Sequence, residues 1–123
     1  MKIRADDREA GSGVIEALQA LPGGEVTVGR LAVGDYLVED LALFERKTLL
    51  DFAASILDSR LFRQAYQLMR SELPGTIILE GKPADLATVG MSREALQGGM
   101  VCLVCCPLSP FTFVALKSAC GEA

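Results

Sequence analysis

Residues 34–51, GDYLVEDLALFERKTLLD, crowd Asp35, Glu45, Arg46, Lys47 and Asp51 among apolar neighbours of the kind that build a core. Charged side chains are seldom buried unless paired or bound to a metal, so this stretch either faces water or lines a site. Residues 37–38 and 41–44 read as two short strands joined by a turn at Glu39-Asp40. If that turn centres on Asp40, Asp35 falls opposite Glu45 and Leu37 opposite Leu43. Directly opposed side chains on a sheet have Cβ atoms about 4.5–5.5 Å apart. Two carboxylates at that distance repel, and a cation between them relieves the repulsion. A hard divalent ion such as Mg²⁺ takes carboxylate oxygens and keeps waters in its other positions. The alternation of a strand puts Lys47 on the face of Glu45 and Arg46 on the opposite face. Two carboxylates and a lysine on one face can hold a metal, activate a water and stabilise charge on a phosphate. The plain alternative is an exposed ladder of ion pairs, which Leu37 and Leu43 on the same face argue against.

Several elements must position this stretch. Residues 2–6 read as a first strand ending in acids, with Arg8 and Glu9 at its exit. Residues 11–21 form a short amphipathic helix with Ser12 as a plausible N-cap, closed by Pro22-Gly23-Gly24. Val26 and Val28 alternate as a strand, and Leu31 and Val33 alternate on the opposite parity, so Gly29-Arg30 must switch faces. Gly34 then marks a bend or a close approach. Thr48 to Asp51 fits a capping box opening a helix that runs to about Glu72, with Phe52, Ile56, Leu57, Leu61, Ala65, Leu68 and Met69 as its core side. Residues 76–80, TIILE, read as a buried strand. Ser92 caps a further helix, whose Gly98-Gly99 suits close packing against another helix, for instance in a dimer. Residues 111–116, FTFVAL, read as a last strand.

Composition narrows the chemistry. The 123 residues suffice for one domain with one core, half of them are hydrophobic, and no run approaches the ~18 apolar residues of a membrane span. The charged N-terminus lacks the apolar segment of a signal peptide, so an intracellular protein is expected, in cytoplasm, nucleoid or nucleus. There is no histidine, which removes Ser-His-Asp and Cys-His catalysis and leaves carboxylate–metal chemistry. A net charge of −4 argues against a uniformly basic nucleic-acid footprint, yet Lys47, Arg60, Arg63 and Arg70 cluster in one stretch. Cys102, Cys105, Cys106 and Cys120 could make a zinc site, although the apolar run VCLVCC fits buried free thiols better.

The GDY, ERK and following Asp51 resemble the GD…ERKxxxD signature of the XPF/Mus81 (ERCC4-type) structure-specific DNA endonucleases. Residues 6–9, DDRE, resemble that family's D-x-R-E, with Asp6 on the Asp. Residues 51–64, with DFAASI, SRLF and Gln64, resemble its DFxxSI…RLxxQ helix, and residues 91–98 the helix after its fourth strand. The resemblance covers about residues 3–98. It implies an α/β fold, a restriction-endonuclease-like central mixed sheet flanked by helices. It also implies hydrolysis of a phosphodiester in branched DNA (a flap, fork or nicked junction) with Mg²⁺ or Mn²⁺.

The expected site has Asp35, Glu45, Arg46, Lys47 and Asp51 as catalytic residues. Asp35 and Glu45 hold the metal, Asp6 and Asp51 support it, and Arg8, Arg60 and Gln64 contact DNA. The plain roles of these outer residues are a helix N-terminal acid for Asp6, closure of the capping box for Asp51 and solvated polar side chains for the rest. Resemblance further implies a homodimer or heterodimer through this domain. Residues 1–123 are expected to be a single nuclease domain without helix-hairpin-helix or helicase region. The rival expectation is a non-catalytic partner module that keeps the fold for dimerisation and DNA positioning. The intact GD, ERK and Asp51 favour the active form.

Overall fold

A computed structural model describes residues 1–104 and 111–117. Its centre is a six-stranded sheet of β1 (Lys2–Asp6), β2 (Glu25–Gly29), β3 (Tyr36–Val38), β4 (Ala42–Thr48), β5 (Gly75–Gly81) and β6 (Phe111–Lys117), in the order β2-β1-β3-β4-β5-β6. β1 and β2 are parallel, β3 runs antiparallel to both β1 and β4, and β4, β5 and β6 are parallel. The mixed α/β architecture expected from the sequence is therefore present.

Helix placement follows from crossover handedness. A right-handed crossover from β1 leftward to β2 and another from β4 rightward to β5 put their helices on opposite faces. The first carries α1 (Val14–Gln19), whose Ile15 packs with Ile3, Ala5 and Tyr36. The second carries α2 (Leu49–Leu57) and α3 (Leu61–Met69), and α4 (Arg93–Val104) connects β5 to β6. On that side Phe52, Leu61, Leu68 and Leu96 close over Leu43, Ile77 and Leu79. Among the described residues, no helix is long and apolar enough to cross a membrane.

The hairpin forms in the expected register, with Tyr36 opposite Phe44, Leu37 opposite Leu43 and Val38 opposite Ala42. Glu39 and Asp40 both have positive φ, at 54° and 55°, and Leu41 N–H donates to Val38 O at 2.9 Å, as in a type I′ turn. Gly34 has φ +75°, and a Cβ there would lie 3.1 Å from Leu43 Cδ2, so both conformation and space require glycine.

Three expectations are corrected, the first being Leu57, expected on the core side of the long helix but 65% exposed at the last position of α2, where that helix breaks. The long helix breaks into α2 and α3: Asp58 caps Arg60 through a 3.2 Å bond from the Arg60 N–H, and Ser59 takes φ 65°. Asp58 offers the backbone a local partner that competes with helical bonding, although apolar periodicity continues through the break. Leu31 and Val33 form no strand; Leu31 is buried and its N–H donates to Asp6 Oδ1 at 2.8 Å. The helix cap at Ser92 forms, with Ala95 N–H 3.1 Å from its hydroxyl. Close packing at Gly99 is found within the chain, since a Cβ there would lie 2.7 Å from Ile56 Cδ1 of α2. Cys105, Cys106 and Cys120 lie outside the described residues.

Candidate active site

β1, β4 and β5 point the same way and β3 runs against them. The ends of β1, β4 and β5 and the start of β3 therefore meet at one edge of the sheet. Asp6 closes β1, Asp35 precedes β3, Glu45, Arg46 and Lys47 lie in the last half of β4 before Thr48, and Glu80 is the penultimate residue of β5. Alternation places Asp6, Asp35, Glu45 and Lys47 toward the face covered by α2–α4, and Arg46 and Glu80 toward the face of α1.

The hairpin brings Asp35 to Glu45. The Asp35 N–H donates to Phe44 O at 2.9 Å, and its Oδ2 accepts from the Arg46 backbone N–H at 2.8 Å. Burial raises the Asp35 pKa, the Arg46 N–H offsets part of that, and the charges of Glu9 and Asp6 push it up further. Glu45 is half-buried and is pushed up to about 7, first by burial and then by Asp35, against the attraction of Lys47 and Arg8. Two carboxyls thus share a poorly solvated spot and disfavour each other's charge.

Lys47 Nζ donates to Gln64 Oε1 at 3.0 Å, tying β4 to α3 beside Glu45. Arg46 takes part in two ways. Its backbone holds Asp35, while its guanidinium is fixed on the other face by Glu80 Oε2 at 2.6 Å and Glu9 Oε2 at 3.3 Å.

Asp6 is fully buried, and both its oxygens are engaged. Oδ2 accepts from Arg8 N at 2.9 Å and Arg8 Nε at 2.6 Å, and Oδ1 from Leu31 N at 2.8 Å. The Arg8 bond holds its carboxyl well below the usual carboxylate range. Asp6 is thus committed to donors of the chain itself. It orients Arg8, whose charge acts on both Asp35 and Glu45.

Asp51 is exposed in the first turn of α2; its backbone N–H donates to Thr48 Oγ1 at 3.1 Å, the cap expected of Thr48. Arg60 is held by Asp58 at 2.6 Å and lines, with Arg63, Gln64 and Gln67, a shallow cleft of about 240 Å³. Among the described residues no three acidic, cysteine or histidine side chains converge as a ready metal cage. Asp35 and Glu45 are gathered, whereas Asp6 is spent on other bonds and Asp51 is not drawn to them.

Glu9 is the participant not counted in the expected set. It is buried, pairs with Arg46 and acts electrostatically on Asp35 and Glu45. The signal was its position just past a strand that ends in acids.

Residues 5–105 match the family profile described as the ERCC4 domain. The chain belongs to the ERCC4 domain family. Its relatives include the 3′-flap repair endonuclease Xpf of Saccharolobus solfataricus, 32% identical over 101 residues, covering 82% of this chain and 43% of that protein. A putative ATP-dependent RNA helicase of Methanocaldococcus jannaschii is 38% identical over 74 residues, covering 60% of this chain and 9% of that protein. The solved structure of XPF from Aeropyrum pernix in complex with DNA superposes with a TM-score of 0.81 at 33% identity, over 95% of this chain and 56% of that one. The same protein in a second structure gives a TM-score of 0.79 at 32% identity, over 96% of this chain and 57% of that one. The chain therefore spans under half the length of the curated relatives and somewhat over half of the solved chains.

Proposed function

We propose that this chain is the nuclease domain of a DNA endonuclease that hydrolyses phosphodiesters in branched DNA with Mg²⁺ or Mn²⁺. The observation that carries the reading is the juxtaposition of Asp35 and Glu45 across the hairpin, with Lys47 beside them. Family membership and the likeness to an XPF solved with DNA support DNA as the partner.

The donor set fits a hard divalent cation. Mg²⁺ is commonly held by one or two carboxylates together with substrate phosphates and waters, so two carboxylates at an open edge suffice. Glu45, raised to about 7 by burial and by Asp35, has a charged form that a cation would restore. Such a cation supplies Lewis acidity when bound, easing deprotonation of an attacking water and offsetting charge on the phosphate.

The remaining work falls to the chain itself. The Arg46 N–H fixes the Asp35 carboxylate through its Oδ2. Lys47, steadied by Gln64, supplies a positive charge for the phosphate or orients the attacking water. Arg46, clamped by Glu9 and Glu80, stiffens the strand that carries Glu45 and Lys47. Arg60, Arg8 and Gln64 bind the DNA backbone, and Asp51, exposed in the first turn of α2, supports the cation from outside its immediate ligands. The reading extends to action inside the cell, and to association with a second copy or a related chain through this domain, as the family resemblance implies.

The test is cleavage of labelled flap, fork and plain duplex DNA with Mg²⁺ or Mn²⁺. Metal-dependent cutting of branched DNA is expected, falling at least about 100-fold in Asp35→Asn and in Glu45→Gln. A folded wild-type chain that binds branched DNA and cuts none of these substrates would instead identify a non-catalytic positioning module.

A further inference from the structure

The outer surface of α3 carries a feature that the metal-centred chemistry does not use. Phe62 and Tyr66 are 59% and 57% exposed, although large aromatics are ordinarily buried. They stand one helical turn apart, so their rings share one stripe of the helix. Leu61, Ala65 and Leu68 face the core, which turns Arg63, Gln67 and Arg70 outward beside the aromatic stripe. Arg60 and Gln64 form the opposite flank, where Gln64 meets Lys47 at 3.0 Å. α3 contains no acidic residue, in a chain whose net charge is −4. Around the helix the order runs from the candidate active site through polar and cationic side chains to two exposed rings.

We propose that α3 is a stacking platform for unpaired DNA bases, with Phe62 and Tyr66 receiving the bases and Arg63 and Arg70 the phosphates of a single strand next to the cleavage site. This rests on the nuclease reading for its substrate and names the part of a branched substrate that α3 would hold. Aromatic rings bind bases of any sequence because every base has a π face, and neighbouring arginines track the backbone. A protein partner is less well matched: a run of arginines and glutamines without carboxylates complements phosphate, and a second copy of this acidic chain would have to bring an acidic patch to it.

Binding of labelled single-stranded oligothymidylate and of a matched duplex is measured by fluorescence anisotropy, in EDTA so that no cutting occurs. The wild type is expected to prefer the single strand. Phe62→Ala and Tyr66→Ala should each weaken single-strand binding at least about five-fold with little change for duplex, and Tyr66→Phe should bind as wild type. Both rings are exposed, so the substitutions leave the core intact, which circular dichroism checks. The chain has two tyrosines and no tryptophan, so in Tyr36→Phe the emission reports Tyr66 alone and should be quenched by the oligonucleotide.

Unchanged single-strand affinity in both alanine variants overturns the proposal, as does equal loss for duplex. Loss of self-association in those variants at unchanged affinity also overturns it and marks a protein interface. Asp35→Asn, which tests the nuclease reading, should bind the oligonucleotide as wild type does, so the two readings fail separately.

Discussion

Glu45 shows how the candidate site trades stability for chemistry. In the unfolded chain its carboxyl titrates near the usual 4.5, and in the folded chain burial and Asp35 carry it to about 7. A group raised in this way contributes stability that is complete below its unfolded pKa and lost as pH rises through the folded one. Between about pH 4.5 and 7 the folded chain without metal should therefore weaken. Glu45→Gln removes that loss, so in EDTA the variant should be more stable than wild type at pH 8, by about 1–3 kcal/mol, with the gap narrowing at pH 5. Urea midpoints at the two pH values check this; a variant no better at pH 8 than at pH 5 would show that Glu45 is freely solvated. The pairing of Asp35, Glu45 and Lys47 was legible because one turn and the alternation of a strand fix it locally. The capping role of Asp6 was legible as a helix N-terminal acid, but its bond from Leu31 depends on β1 lying beside β2, and the pairing of Glu9 with Arg46 depends on β1 reaching β4 through β3.

The hairpin of β3 and β4 is the element that makes the site. Its ladder ends with Tyr36 opposite Phe44, the Asp35 N–H then bonds Phe44 O so that the Asp35 charge acts on Glu45, and Gly34 sets the angle at which Asp35 enters. A side chain at Gly34 must adopt φ +75° and press on Leu43. Gly34→Ala should cost roughly 1–2 kcal/mol of stability, since left-handed backbone is costly for any residue with a Cβ. The same change should reduce cleavage more than the stability loss explains, by moving Asp35 off the Arg46 N–H. Chemical denaturation and single-turnover cleavage on the same sample separate the two effects, and wild-type-like turnover would free Gly34 of a positioning role. The break between α2 and α3 is not legible in the sequence, because apolar spacing passes through Asp58-Ser59 unbroken. It swings α3 into line with β4, where Gln64 can reach Lys47.

Over the whole molecule, strand order matters most and was least legible. Local patterning identifies the strands and the outer helices closely. Nothing local says that β1 sits between β2 and β3, which gathers the ends of β1, β4 and β5 at one edge. That convergence concentrates acids at the strand ends, while α3 and its two flanking residues carry Arg60, Arg63 and Arg70 with no acid within the helix, so a chain of net charge −4 can still offer phosphate a local basic surface.

The central claim is that Asp35 and Glu45 share one divalent cation. It is tested most directly by counting Mn²⁺ bound to the chain by electron paramagnetic resonance, for wild type, Asp35→Asn, Glu45→Gln and Asp6→Asn. One Mn²⁺ per chain is expected, bound at least about 10-fold more weakly when Asp35 or Glu45 is changed, and with little loss in Asp6→Asn if that variant remains folded. Equal binding by wild type, Asp35→Asn and Glu45→Gln would contradict the claim and place any cation elsewhere on the chain.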